Sequence, residues 1–152
     1  MIASHTNEVL KRFRKTAWPL QRTFETPVKN LGPFVATILS AHTPISAGCV
    51  SIESVVFEPR DLVALLAAHG LPPSLGNHLT LTTENVAELP PLLEAVFSDG
   101  PDFVFVPTPR KFTCYADHDE YATFYAHTKS NLNRVVRALS AGGFKSVDYH
   151  RD

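Results

Sequence analysis

The run "CYADHDEYATFY" (Cys114–Tyr125) places Asp117, His118, Asp119 and Glu120 side by side. These residue types can do chemistry. Two aspartates and an imidazole are competent metal ligands, and a carboxylate or imidazole in a pocket with a shifted pKa can move a proton. Geometry restricts the metal version. Successive residues at the start of a helix project in different directions. His127, nine residues on, would lie on the opposite face of a continuous helix and ~13 Å along its axis. A metal would therefore need ligands from elsewhere, such as His69, His78 or His150. The chain has no H-E-x-x-H, no C-x-x-C and no EF-hand loop. No metal or other cofactor is predicted.

The same letters also spell a helix start. Asp117 and Glu120 have the D-x-x-E form of a capping box, and acidic groups in a first turn meet the positive end of the helix dipole. Tyr121, Phe124, Tyr125, Leu132, Val135, Val136 and Leu139 share a ~120° arc at helical period. The spacing predicts one long amphipathic helix over about residues 118–140, closed by Gly142-Gly143, with its acids bound to backbone amides.

Other nucleophiles and phosphate sites find little support. Cys49 and Cys114 lack a neighbouring histidine or helix start that would favour the thiolate, and their spacing gives no disulfide framework. There is no G-x-S-x-G elbow and no glycine-rich phosphate loop, and "AGGFK" (Ala141–Lys145) reads as a helix end.

Two groups of residues suit recognition instead. Lys11, Arg12, Arg14 and Lys15 crowd one side of an N-terminal helix that Pro19 ends, with Trp18 beside them. Further along, "PTPRK" puts Arg110 and Lys111 at a hairpin tip. Tyr115, read as pointing to the polar face of its strand, joins Arg110, Asp117, His118 and Asp119 in an expected surface patch of mixed charge and aromatic character. Residues 1–30 hold six of the chain's fourteen Lys and Arg against two Glu, although the whole chain carries −1. The overall balance predicts no nucleic-acid partner, which leaves nucleic-acid binding, or contact with anionic lipid, through the basic N-terminal helix as the weaker idea.

The elements that must hold these residues follow from periodicity and from the twelve prolines. A helix is expected over Thr6–Ala17, with Ser4 or Thr6 as its cap. "CVSIESVVFE" reads as a strand. "PRDLVALLAAHG" reads as a helix entered at Pro59 and stopped at Gly70. "NHLTLT" reads as a short strand, and "PLLEAVFSDG" as a helix resuming after the interruption at Pro90-Pro91. "DFVFV" is apolar on both faces, as a central strand should be, and opens a hairpin over Asp102–Ala116. "FKSVDYH" reads as a last strand. Residues 19–48 stay unassigned apart from the apolar run "FVATIL", a short strand or helix.

Together these predict one α+β domain over residues 1–152: a mostly antiparallel sheet covered by helices, with residues 1–30 as a basic helical segment packed on it. The absence of a long apolar run predicts no membrane span. The N-terminus lacks the apolar core of a secretory signal, and the unpaired cysteines suit a reducing compartment, so a cytoplasmic location is expected. The expected function is recognition of another protein, in an adaptor or immunity-type role, through Trp18, Arg110, Tyr115, Asp117, His118 and Asp119. The alternative is a hydrolytic or metal-assisted enzyme using Asp117, His118 and Asp119.

Overall fold

The computed structural model describes residues 1–73, 75–76 and 78–149. Strands β1 (Ile2–His5), β2 (Leu20–Glu25), β3 (Ala47–Ser54), β4 (Leu79–Thr83), β5 (Asp102–Thr108), β6 (Thr113–Ala116), β7 (Tyr121–Ala126) and β8 (Ser146–Val147) form one sheet in the order β1-β4-β3-β5-β6-β7-β2-β8. Every neighbouring pair is antiparallel. The helices are α1 (Glu8–Lys15), α2 (Leu31–Ser40), α3 (Arg60–Ala68), α4 (Leu89–Asp99) and α5 (Lys129–Ala141). This is the expected α+β architecture, a sheet packed against helices. No helix is long and apolar enough to cross a membrane among the described residues.

Side chains on a strand alternate between faces, and β5 shows why "DFVFV" must be apolar throughout. Phe103 and Phe105 enter the larger core, under α2, α3, α4 and α5. Val104 and Val106 enter a second cluster on the opposite face, roofed by α1 through Leu10, Val9 and Phe13. In the larger core Phe97 of α4 meets Phe34 of α2 and Phe103 of β5 edge-on, with ring centroids 5.5 and 5.2 Å apart. Such pairs add ~0.5–1.5 kcal/mol each beyond simple burial.

The long helix of 118–140 is corrected: its first half is strand β7, and the helix begins only at Lys129. Phe124 faces the larger core and Tyr125 the α1 cluster. A strand sealed on both sides shows no alternation, and in this one the apolar residues also matched helical spacing. The true helix start is capped by Thr128, whose hydroxyl accepts the N–H of Asn131 at 3.2 Å. The capping box at Asp117 is corrected with it. Residues 117–120 form the β6–β7 turn, closed by the Asp117 N–H donating to the Tyr121 carbonyl at 3.0 Å.

Smaller differences have equally local causes. The first helix spans Glu8–Lys15 and not Thr6–Ala17, because residues 2–5 pair with β4 as an edge strand. Pro90 and Pro91 lie in the first turn of α4, where a missing N–H costs nothing, so they start the helix and do not interrupt it. In the unassigned region, "FVATIL" belongs to α2 and Leu20–Glu25 is a strand between β7 and β8. Of the expected strand "NHLTLT", Asn77 lies outside the described residues, as does His150 of the last strand.

Candidate functional site

The β5–β6 hairpin runs the length of the sheet, and a candidate site lies at each end of it. Arg110 is at the tip, where β5 ends and β6 begins. Asp117 and His118 follow the other end of β6. The expected single patch is therefore divided by a strand. Tyr115 leaves it altogether. Its ring is 3 % exposed, because α1 covers the face that was read as polar. There it stacks on Phe13 with centroids 5.6 Å apart and donates its hydroxyl to Glu53 Oε1 at 2.9 Å. Arg14 of α1 bonds the other oxygen of Glu53, so one carboxylate ties helix, β3 and β6 together.

At the Arg110 end, a groove of about 680 Å³ opens between α1 and the end of the hairpin. Its floor is apolar: Val9, Phe13, Trp18 and Val106. Trp18 is half-buried. Its indole N–H donates to the Phe13 carbonyl at 3.2 Å, which finishes α1, and its ring stacks on His127. Arg12 and Arg110 line the groove, and no described carboxylate pairs with either. Glu8 also lines it. Thr113, 1 % exposed, is also among the groove's lining residues, and its buried hydroxyl has no hydrogen-bond partner among the described residues. Cys49 lies in the same groove, and burial pushes its thiol up to about 11, so it is no nucleophile at neutral pH. Cys114 is fully buried, which raises its thiol further.

At the opposite end, a cavity of about 490 Å³ lies between the start of α3, the end of α4 and the β6–β7 turn. Asp117 holds the turn, its Oδ1 accepting the N–H groups of Asp119 at 3.0 Å and Tyr121 at 3.2 Å. Glu120 completes it with φ 66°. His118 is anchored from outside the turn. Both its backbone N–H and its ring Nδ1 meet Asp102 Oδ1 at 2.9 Å, while Ser54 donates to Asp102 Oδ2 at 2.6 Å. The hydrogen bond to Asp102 raises the His118 pKa above its ordinary value. Burial alone would raise the Asp102 carboxyl, but the bonds from Ser54 and His118 outweigh it and the pKa is lowered. Asp119 lies outward, its Oδ1 3.8 Å from His118 Nε2 and its side chain 70 % exposed.

Three participants gave no sequence signal. Asp99, at the end of α4, accepts the N–H groups of Asp61 at 3.0 Å and Leu62 at 2.7 Å, and so caps α3 from 38 positions away. Burial raises its pKa against those two bonds. Asp102 read only as the first residue of a strand. Thr26, 7 % exposed, is among the residues that line the cavity, and its buried hydroxyl has no hydrogen-bond partner among the described residues. Thr26 and Thr113 hold the two buried side-chain polar atoms without a partner among the described residues, and each lies in one of these two sites.

Among the described residues no three His, Cys, Asp or Glu side chains gather closely enough to share a metal ion. His69 pairs with Glu88 at 3.2 Å. His127 is held at the far end of β7, against Trp18. Compared with known proteins, the chain matches no family model, no curated protein and no solved structure.

Proposed function

We propose that this chain is a binding domain that recognises another protein, and that it does so through the groove between α1 and the β5–β6 hairpin. One observation carries the reading. Trp18 and Arg110, 92 positions apart in the chain, line one concave surface whose floor is apolar and whose two arginines have no carboxylate partner among the described residues. Tryptophan and arginine are the side chains that most often supply binding energy at protein interfaces. A desolvated guanidinium needs a carboxylate, and an apolar floor needs an apolar side chain. The partner is therefore a protein segment with Asp or Glu next to an aromatic or aliphatic anchor. Selection of a displayed random-peptide library on the purified protein tests this. The enriched peptides should combine acids with an apolar anchor and lose binding to Arg110→Glu. Enriched peptides indifferent to Arg12 and Arg110, or no enrichment, remove the reading.

The Asp102–His118 pair supports a second reading, acid–base catalysis at the cavity. Asp102 fixes Nδ1 of the ring and leaves Nε2 to exchange a proton. The one hydroxyl of this network, that of Ser54, is committed to Asp102 and does not serve His118 as a nucleophile. Hydrolysis of nitrophenyl esters and phosphates that disappears in His118→Ala would favour this reading; equal background rates in both proteins would end it.

A further inference from the structure

The loop between β3 and α3 opens with "VVFE", residues 55–58, and all four are exposed. Val55, Val56 and Phe57 are 43 %, 49 % and 55 % accessible, three large apolar side chains in a row. Val28, also exposed, lines the β6–β7 cavity together with Phe57. Apolar side chains scattered singly over a surface need no explanation, but a run of them marks a contact surface. Glu58 follows Phe57 directly. Arg60 meets only its Oε2, at 3.4 Å, and Oε1 has no bond among the described residues. A surface pair of that kind is weakly held and exchanges readily for a better one.

A phenylalanine beside a free carboxylate oxygen is the chemistry that fits the groove at α1. Val9, Phe13, Trp18 and Val106 offer its apolar floor, and Arg12 and Arg110 its cations. Glu8 also lines the groove, against two arginines, so that surface stays net positive. The end that carries the loop is acidic: Glu58, Asp61, Asp117 and Glu120 line its cavity against Arg60 and His118. One molecule therefore carries both halves of a complementary contact, but it cannot close that contact on itself. β3 pairs with β5 from Ala47↔Thr108 at one end to Ser54↔Asp102 at the other. The groove includes Thr108 and the loop follows Ser54, so the length of β3, ~23 Å, separates them.

We infer that the groove takes the 55–58 loop of a second copy of this chain, with Phe57 on the apolar floor and Glu58 against the arginines. The inference rests on the groove reading and names its occupant. The contact joins unlike surfaces at opposite ends of the molecule, so it is head-to-tail. Each copy uses both surfaces, and association grows past the dimer into a ring or an open chain. One loop in one groove is a small interface, which makes the association weak and concentration-dependent.

Sedimentation velocity of the whole chain, from low micromolar to millimolar concentration, tests it. The sedimentation coefficient should rise with concentration, and less so at high salt. Phe57→Ser/Glu58→Lys alters the loop and Arg12→Glu/Arg110→Glu alters the groove, all at exposed positions. Each double variant should associate about tenfold or more weakly. An equimolar mixture of the two should recover association but stop at the dimer, since it holds one intact loop and one intact groove per pair. That recovery also shows that both variants fold. A wild-type chain monomeric throughout would overturn the inference, as would association that survives in either variant. Trp18 emission separates this failure from that of the groove reading. A monomeric protein whose emission still answers an acidic, apolar peptide through Arg12 and Arg110 keeps the groove and has a different protein as partner. One that answers no such peptide loses both.

Discussion

The indole of Trp18 lies against the imidazole of His127, with ring centroids 4.7 Å apart and planes inclined at 28°. The contact joins the segment after α1 to the end of β7, and it fixes the wall of the groove. Trp18 is the chain's single tryptophan, so its emission reports this place alone. His127→Ala should shift the emission to longer wavelength by opening one face of the ring to water. The stability lost should be modest, ~0.5–1 kcal/mol in denaturant unfolding. An unchanged spectrum would mean the stack does not persist in solution.

Asp99 caps α3 across a gap of 38 residues. Asp99→Ala should lower stability by ~1–2 kcal/mol, the usual worth of a helix cap. Hydrogen exchange should quicken first at the amides of Asp61 and Leu62. Uniform acceleration across the chain, with no excess at those two sites, would contradict a local role.

The Asp102–His118 pair makes a signed prediction about pH. His118 has its pKa raised from 6.5, so its contribution is complete below that value and fades as pH climbs through the raised value. Asp102 has its pKa lowered from 3.8, so its contribution is present above 3.8 and fades as pH falls through the lowered value. The pair therefore stabilises the fold most between about 3.8 and 6.5. Asp102→Asn should bring the His118 titration, followed by NMR, back down towards 6.5 and flatten this part of the stability profile. A His118 titration unchanged in the variant would break the pairing.

Burial holds the Cys49 thiol up at about 11, so the folded protein should react slowly with a disulfide reagent at pH 7.5 and faster as pH rises. Cys114, fully buried at the centre of the sheet, should react only on unfolding. Rapid labelling of a cysteine at neutral pH would mean the groove floor opens.

The class of the fold was legible because "DFVFV", "CVSIESVVFE" and "RDLVALLAA" each carry a strong local pattern; the first and third lie where expected, and the second supplies β3 only as far as Ser54, its last four residues lying beyond the strand. The segment "YATFYA" was not, because β7 is buried on both faces and its apolar residues matched helical spacing as well as any strand's. That one ambiguity turned a β-turn into a helix cap. The chemistry around it was hidden for a different reason: His118 meets Asp102, and Asp99 meets Leu62, only through tertiary folding. Trp18 and Arg110 could be picked out by type, but nothing local places them in one groove. Tyr115 was misplaced because its strand's second face has a cover, α1, that strand periodicity alone does not show.

The central claim is that the groove takes an acidic, apolar-anchored segment. The most direct measurement follows Trp18 emission, excited selectively, as a glutamate–tyrosine copolymer is titrated into the wild-type protein and into Arg12→Glu/Arg110→Glu. The account predicts a saturable change in the wild type that weakens as salt is added and is absent from the double variant, with polylysine inert in both. No change with the copolymer, or the same change in the double variant, would contradict it.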